Sequence, residues 1–346
     1  HSLSWLPIRT INPYGIEWMM MFVVSCIFGL SSAGTGSSMK IEFGLLSRAH
    51  RKHVLVLLVS LAFAVSLRLF AISEDVEPEA RQTRTDSLVR LRLTGLEIEQ
   101  SEHLKTALDN LYQQEGDLYV LPEYCFNWQS FNEQFIQKLT IFGLRTPTHN
   151  EAFVMDGLGN VLHRQVKSVP IPFFNDGLPA EGRSIWHYTS PPDAVTGKSK
   201  ALRIGICVCY DSSYPFVIDN LRRQGAQLIV VIAMDAVHWG AWEHELNARV
   251  THIRAAQFGL PIYRLTTSGI SQAVDSLGRI KQATKFTADA DHGTIFSHEF
   301  VIDSDFDSSK DFKCDDYVCN VSLVATGLII AHAVFTCVRA KLFTNK

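Results

Sequence analysis

The sequence has no side-chain arrangement that is typical of a metal or cofactor site. It contains neither an HExxH nor a CxxC spacing, and it has no glycine-rich phosphate loop. Excess positive charge is also absent: 32 lysines and arginines stand against 35 acidic residues, for a net charge of −3, and no basic patch is interleaved with aromatics. We therefore expect no metal, no cofactor and no nucleic acid partner.

The seven cysteines do not form the spacing pattern of a disulfide scaffold. Cys314 and Cys319 are close enough in sequence to pair, but spacing alone does not establish disulfide geometry. Each cysteine is therefore weighed by itself, either as a small buried apolar residue or as a nucleophile.

Long apolar runs are present, and three of them are of a length that suits a bilayer. They are Trp18 to Ala33, Val54 to Ile72 and Val321 to Val338, and a bilayer core needs about 20 such residues. A signal peptide is an alternative for the first run, but the second run and the poorly basic leader disfavour it. We predict two transmembrane helices within residues 1–73 and a third within residues 317–346.

The positions of the basic residues predict how these helices are oriented. The loop between the first two runs and the tail after the third contain Lys40, Arg48, Arg51, Lys52, Arg339, Lys341 and Lys346. Loops rich in lysine and arginine stay in the cytoplasm. The region from Glu74 to Asp316, a linker at 74–86 followed by a domain at 87–316, is therefore predicted to lie outside the cytoplasmic membrane.

Strand and helix patterns alternate in this domain, which predicts an α/β fold. The predicted strands are Ser87 to Thr94, Asp117 to Leu121, Glu151 to Asp156, Val161 to Gln165, Ala201 to Val208, Gln227 to Ala233, Ile262 to Thr267 and Gln272 to Asp275. The predicted helices are Ser101 to Glu115, Ser213 to Gln224 and Glu243 to Gly259. The stretch from Ile171 to Gly197, rich in proline and glycine, is predicted to be a long irregular loop that covers an active site or faces lipid.

Cys209 is the strongest candidate nucleophile. The apolar strand Ala201 to Val208 leads directly into it, and a helix is predicted shortly afterwards. A helix N-terminus favours thiolate over thiol, and thiolate is the nucleophilic form. Cys207 lies within the strand and fits the description of a buried apolar residue instead.

Two further residues occupy similar strand-end positions. The buried strand ending at Leu121 is followed by Pro122 and then by Glu123, and proline ends the pairing of a strand. Lys167 enters a proline-rich loop after another strand. Alone, each is most often a solvated charge, but the ordered set of Glu, Lys and Cys is more specific.

On these residues the chain resembles the nitrilase (carbon–nitrogen hydrolase) superfamily. Within it, the chain is most similar to the apolipoprotein N-acyltransferase branch, with a reduced set of membrane helices. The supporting motifs are Pro122-Glu123, Lys167 with Pro172-Phe173, Cys209-Tyr210-Asp211, Arg254-Ala255, Gly259-Leu260-Pro261, Arg264-Leu265-Thr266, Gly269-Ile270-Ser271 and Asp275-Ser276-Leu277-Gly278-Arg279.

The resemblance implies a nitrilase-like αββα sandwich, flanked by transmembrane helices, with a Glu–Lys–Cys triad. It assigns catalysis to Glu123, Lys167 and Cys209, with Tyr210, Asp211 and Asn175 in support. The chain departs from the family where Asn175 and Asp211 replace glutamates and where Met234-Asp235-Ala236-Val237 replaces an Asn-Asp-Ala-Trp loop. Asp176 is the alternative to Asn175 as the residue that holds the lysine.

The implied activity moves an acyl chain from a phospholipid, through a cysteine thioester, to the N-terminal amine of a lipoprotein. The implied location is a bacterial cytoplasmic membrane, with the catalytic domain on the periplasmic side. Two alternatives remain open at this point: a membrane-anchored amidase or nitrilase that transfers the acyl group to water, and an inactive relative that acts as a membrane scaffold.

Overall fold

The computed structural model describes residues 87–311, apart from 100–101, 173, 181, 193–196, 198 and 287–292. The three apolar runs, the linker at 74–86 and the Cys314–Cys319 pair lie outside the described residues and stay predictions. Among the described residues, no helix is both long enough and apolar enough to cross a membrane.

Two β-sheets form the centre of the described domain. The first has the strand order β13-β1-β2-β4-β5-β6, with a short β3 beside β4. Its strands are β1 (Leu88–Glu97), β2 (Leu118–Val120), β3 (Phe126–Asn127), β4 (Thr140–Arg145), β5 (Asn150–Met155), β6 (Val161–Val166) and β13 (Thr294–Asp303). Strands β1, β2 and β4 are parallel, so their carboxyl ends meet at one edge.

The second sheet has the order β12-β11-β10-β9-β8-β7. Its strands are β7 (Ile185–Thr189), β8 (Ala201–Val208), β9 (Leu228–Ala233), β10 (Ile262–Thr266), β11 (Gln272–Val274) and β12 (Ile280–Ala283). Strands β8, β9 and β10 are parallel, and β9 and β10 are buried at every position. Strand β9 is also apolar throughout because both of its faces are covered.

The described residues form four α-helices, which are α1 (Leu104–Gln113), α2 (Pro215–Arg223), α3 (Ala241–Phe258) and the short α4 (Ser308–Asp311). One apolar cluster lies between the sheets and joins side chains such as Leu91 and Val120 to Ile206 and Val230. A second cluster packs α1 against the outer face of the first sheet, and a third packs α2 and α3 against the second. The layers are therefore helix, sheet, sheet and helix, which confirms the predicted αββα sandwich.

The predicted strands and helices all form, with bounds that shift by a few residues. The predicted loop from Ile171 to Gly197 is partly wrong, because Ile185–Thr189 forms β7 by antiparallel pairing with β8. Strands β4 and β13 were not expected from the sequence. Strand β13 is ten residues long, and it escapes a pattern-based prediction because its exposed and buried residues do not alternate strictly.

Candidate active site

The ends of three strands bring Glu123, Lys167 and Cys209 together. Glu123 follows β2 by three residues, whereas Lys167 and Cys209 come directly after β6 and β8. Gly143 on β4 lets the backbone at Glu123 approach closely, since a Cβ atom there would lie 2.6 Å from the Glu123 Cα. The local sequence thus places two charged side chains and a thiol at the junction of the two sheets.

Glu123 and Lys167 form an ion pair that is almost completely shielded from solvent. The side chains are 1% and 0% exposed, and the Lys167 Nζ lies 2.8 Å from the Glu123 Oε1. Asn150 donates to the same oxygen at 2.6 Å, and the Met234 backbone N–H donates to Oε2 at 2.9 Å. Donors on both oxygens fix the orientation of the carboxylate.

The second carboxylate that pairs with Lys167 belongs to Asp176, and Asn175 does not take this position. Its Oδ2 lies 2.8 Å from the Lys167 Nζ, and the residue is 3% exposed. Asn175 is exposed and accepts a hydrogen bond from the Arg145 Nη2 at 2.8 Å. The assignment of Asn175 as a supporting residue is therefore corrected: the loop places the following residue in the site.

The Asp176 carboxylate accepts hydrogen bonds from every side. Its donors are the Tyr124 hydroxyl, the Asn150 amide at 2.8 Å, the Ile171 backbone N–H at 2.7 Å and the Lys167 ammonium. Burial opposes the charge of Asp176, but Lys167 and these donors hold the pKa of the carboxyl below its ordinary value. Burial likewise opposes the charge of Lys167, yet the carboxylates of Glu123 and Asp176 raise its pKa well above the ordinary value. Lys167 therefore stays an ammonium at neutral pH.

Cys209 begins a 3-10 turn that spans Cys209–Ser213, with a backbone φ of +49°. Its Sγ lies 3.9 Å from the Met234 carbonyl oxygen and is also hydrogen-bonded to Glu123. Burial and the negative charge of Glu123 raise the pKa of the thiol well above its ordinary value. The expectation that a helix N-terminus makes Cys209 a thiolate is therefore wrong: α2 starts only at Pro215, and the thiol keeps its proton until a base removes it.

Asp211 joins the nucleophile turn to the lysine loop. Its carboxylate is 1% exposed and accepts the backbone N–H groups of Ser168 and Val169 at 2.8–3.0 Å. Burial raises the pKa of Asp211 to about 6, against the opposing effect of these hydrogen bonds. Because Ser168 directly follows Lys167, this contact fixes where the lysine enters the site.

Tyr210 is partly exposed and starts a row of aromatic rings leading away from the thiol. Its ring lies 5.0 Å from that of Tyr214 in an edge-to-face arrangement, and Tyr214 lies 5.7 Å from Phe216. Phe216 is half exposed and lies beneath the Arg183 guanidinium, at 5.0 Å. The row forms a partly apolar track from the nucleophile to the surface.

The structure adds Asn150, Tyr124 and Met234 to the residues that the sequence identified. Tyr124 has a φ of +58°, which turns its hydroxyl towards Asp176. Its place after Glu123 was the one signal in the sequence. Asn150 could not be predicted as a site residue from the sequence, because its role depends on the pairing of β4 with β5. In the described ranges, no three His, Cys, Asp or Glu side chains are grouped to hold a metal ion.

Part of the chain is similar to known proteins. The carbon-nitrogen hydrolase family matches residues 142–294. The chain is 36% identical to an apolipoprotein N-acyltransferase of Chlamydia pneumoniae over 22% of this chain and 14% of that protein. It is 27% identical to an apolipoprotein N-acyltransferase of Rhizobium rhizogenes over 51% of this chain and 33% of that protein, so the match spans a third or less of either relative's length.

Among solved structures, an amidase from Nesterenkonia sp. is similar with a TM-score of 0.48 and 15% identity, over 66% of this chain and 95% of that one. The likeness to the carbon–nitrogen hydrolase family rests on the matched sequence region, which includes Lys167 and Cys209. The chain resembles the nitrilase (carbon–nitrogen hydrolase) superfamily and, within it, the apolipoprotein N-acyltransferases.

Proposed function

We propose that Cys209 carries an acyl group as a thioester, with Glu123 and Lys167 as its catalytic partners. The observation that carries this proposal is the hydrogen-bonded set of thiol, buried carboxylate and buried ammonium at the ends of three strands. A thiol with a raised pKa is a weak nucleophile by itself, so a fixed neighbouring base has a clear role.

The acylation step follows from these positions. Glu123 takes the thiol proton as sulfur attacks the acyl carbonyl carbon, and negative charge moves onto the carbonyl oxygen. Lys167 and the backbone N–H of Tyr210 stabilise that oxyanion. As the tetrahedral intermediate collapses, the leaving alcohol receives the proton from Glu123 and the thioester remains. In comparable sites the loss of one oxyanion donor lowers the rate by roughly 100- to 1,000-fold.

Deacylation reverses these roles with a different nucleophile. An acceptor amine attacks the thioester carbonyl, and Glu123 takes a proton from the amine nitrogen. The bond to sulfur breaks, the thiol is restored with that proton, and an amide is released. Asp176 takes no proton in this scheme, because it keeps Lys167 charged through both halves.

For the acyl donor we propose a phospholipid, and for the acceptor the N-terminal amine of a lipoprotein. The names of the relatives support the acceptor, and the apolar runs beside the domain support a lipid donor. The strands that deliver site residues are each followed within nine residues by an exposed aromatic side chain. These are Trp128, Phe174, Phe216 and Trp242, which are 50%, 68%, 50% and 68% exposed.

Such an aromatic rim suits a site that works at a bilayer surface, because tryptophan and phenylalanine favour the membrane interface. The domain would then lie on the periplasmic side of a bacterial cytoplasmic membrane, as the basic loops predict. The other large exposed apolar side chains of the described residues are aliphatic, for example Leu158 and Leu277.

A carbon–nitrogen hydrolase is the second candidate, because the matching family is described by that activity. The two reactions share the thioester. They differ in the acyl donor, a phospholipid ester or a carbon–nitrogen compound, and in whether an amine or water receives the acyl group. An inactive scaffold is the third reading, and the preserved Glu123–Lys167–Cys209 set argues against it.

The test traps the thioester on the full-length chain. Protein in phospholipid vesicles is incubated with a labelled phospholipid, and the label is then released by hydroxylamine. The proposal expects labelled Cys209 and transfer to a diacylglyceryl-cysteine peptide that exceeds release to water. Labelling followed mainly by hydrolysis would favour the hydrolase, and the absence of labelling with esters or amides would favour the scaffold. Cys209→Ala is the matched control.

A further inference from the structure

The backbone of Met234 lies between the candidate base and the candidate nucleophile. The Met234 N–H donates to the Glu123 Oε2 at 2.9 Å, and the Met234 carbonyl oxygen lies 3.9 Å from the Cys209 Sγ. One residue thus contacts both partners of the proton transfer. Both contacts are made by backbone atoms, so whatever holds this segment also sets the alignment of Glu123.

The Asp235 side chain is fixed by a buried ion pair. The carboxylate is 1% exposed, and its Oδ2 lies 2.7 Å from the Arg264 Nη2, on a side chain that is 4% exposed. Asn247 on α3 donates to Oδ1 at 2.9 Å. Burial alone would raise the pKa of Asp235, but Arg264 and its neighbours hold it below the ordinary value. The pair is therefore charged at neutral pH.

The backbone of Asp235 is held as firmly as its side chain. Its N–H donates to the Thr267 Oγ1 at 3.1 Å, and its carbonyl oxygen accepts from the hydroxyls of Thr267 and Ser268 at 3.0 and 2.6 Å. Gly269 leaves room for the carboxylate, since a Cβ atom there would lie 2.4 Å from the Asp235 Oδ2. The segments that follow β9 and β10 are thus held together at Asp235.

We propose that Asp235 and Arg264 are positioning residues for the Glu123 base. The ion pair fixes the Met234 N–H on one carboxylate oxygen while Lys167 and Asn150 hold the other. A carboxylate with only one oxygen held can rotate away from the thiol, and a misplacement of about 1 Å lowers a rate by roughly 100-fold. The proposal rests on the proposed role of Glu123 and goes beyond it by assigning what aligns that base.

Stability alone gives a weak reason for this ion pair. Removal of both charges of a buried pair often changes protein stability very little. Removal of one charge leaves the other unpaired in an apolar environment and is strongly destabilising. This asymmetry separates a positioning role from a structural one. Variants Asp235→Asn and Asp235→Asn/Arg264→Met differ in whether an unpaired arginine is left behind, but both lose the charge that fixes the segment.

The experiment measures single-turnover acylation of the full-length chain in detergent with p-nitrophenyl butyrate, a short water-soluble ester, beside the thermal unfolding midpoint. Asp219→Asn is the matched control, because Asp219 pairs with the nearly buried Arg222 on α2, away from the site. We expect acylation to fall roughly 100-fold in both Asp235 variants with little change in KM. The double variant should unfold at a higher temperature than Asp235→Asn, and the control should acylate normally.

An acylation rate that recovers together with stability in the double variant would overturn the proposal, as would normal acylation in Asp235→Asn. This result can be distinguished from a failure of the proposed acyl transfer to an amine, because acylation by the short ester takes place before either an amine or water receives the acyl group. If wild-type protein acylates and then hydrolyses the ester, the positioning role is still measured.

Discussion

Asp176→Asn is the substitution that tests the site most directly. The four donors around Asp176 leave an amide no suitable orientation, because its NH₂ group would face donors on one side or the other. Lys167 would also lose one of its two carboxylate partners in a fully buried position. Breaking a buried pair in this way costs about 3–5 kcal/mol.

For a domain of this size, that loss corresponds to a fall in the unfolding midpoint of about 6–20 °C, at about 2–4 °C per kcal/mol. Acylation should fall as well, by roughly 100-fold, because the oxyanion donor Lys167 moves. Differential scanning calorimetry and the single-turnover assay measure the two effects. The matched control is Asn175→Ala, which removes an exposed side chain bonded to Arg145 and should change stability by less than about 0.5 kcal/mol. A silent Asp176→Asn beside a damaging Asn175→Ala would refute the assignment of these two residues.

Three further outcomes are expected. Cys209→Ala should abolish acyl-enzyme formation and Cys207→Ala should leave much of it, so an acyl adduct found on Cys207 by mass spectrometry would contradict the site. Burial raises the pKa of Glu97 to about 7, so the stability it contributes is present below pH 4.5 and is lost as the pH rises through 7. Glu97→Gln should match the wild type near pH 5 and exceed it by up to ~3 kcal/mol near pH 8 in thermal unfolding; an advantage independent of pH would be inconsistent with this cause. Phe216→Ser should slow acylation by phospholipid vesicles but not by a short soluble ester, and Leu158→Ser should change neither; equal loss with both donors would argue against a lipid-contacting rim.

Most of the sheet architecture could be predicted from the sequence because its central strands are continuous apolar runs. Strand β9 is the clearest example, since all of its residues are apolar and buried, and β8 is buried from Ile204 to Val208. Strand β7 was not predicted because it lies at the sheet edge, where two of its five residues are exposed and the proline-rich surroundings dominate the local pattern. Local patterns report burial well, and pairing at an edge depends on distant residues.

In the candidate site, too, the residues with a local sequence pattern could be predicted and those that depend on distant residues could not. Glu123, Lys167 and Cys209 could be identified because each ends a strand, which is a local property. The exchange of Asn175 for Asp176 could not be settled, since adjacent loop residues differ only in which way the backbone turns them. The raised pKa of Cys209 could not be predicted from the sequence either, because it depends on burial in the folded domain and on the charge of Glu123, which lies 86 positions earlier in the chain.

Backbone strain supplies a last link between the fold and the site. Among the described residues, Tyr124 and Cys209 are the two non-glycine residues with positive φ, at +58° and +49°. Such conformations cost on the order of 1–3 kcal/mol each and persist only where the surroundings hold them. Here the restraints are hydrogen bonds. The Tyr124 hydroxyl donates to Asp176, and the backbone N–H groups of Ser168 and Val208 donate to the Asp211 carboxylate. A glycine would relieve the strain at either position but would lose the side chain that the conformation aims into the site. The two strained residues are therefore the ones whose side chains turn into the site just after a strand ends. Backbone strain at these positions is expected where the geometry of a site is under functional constraint.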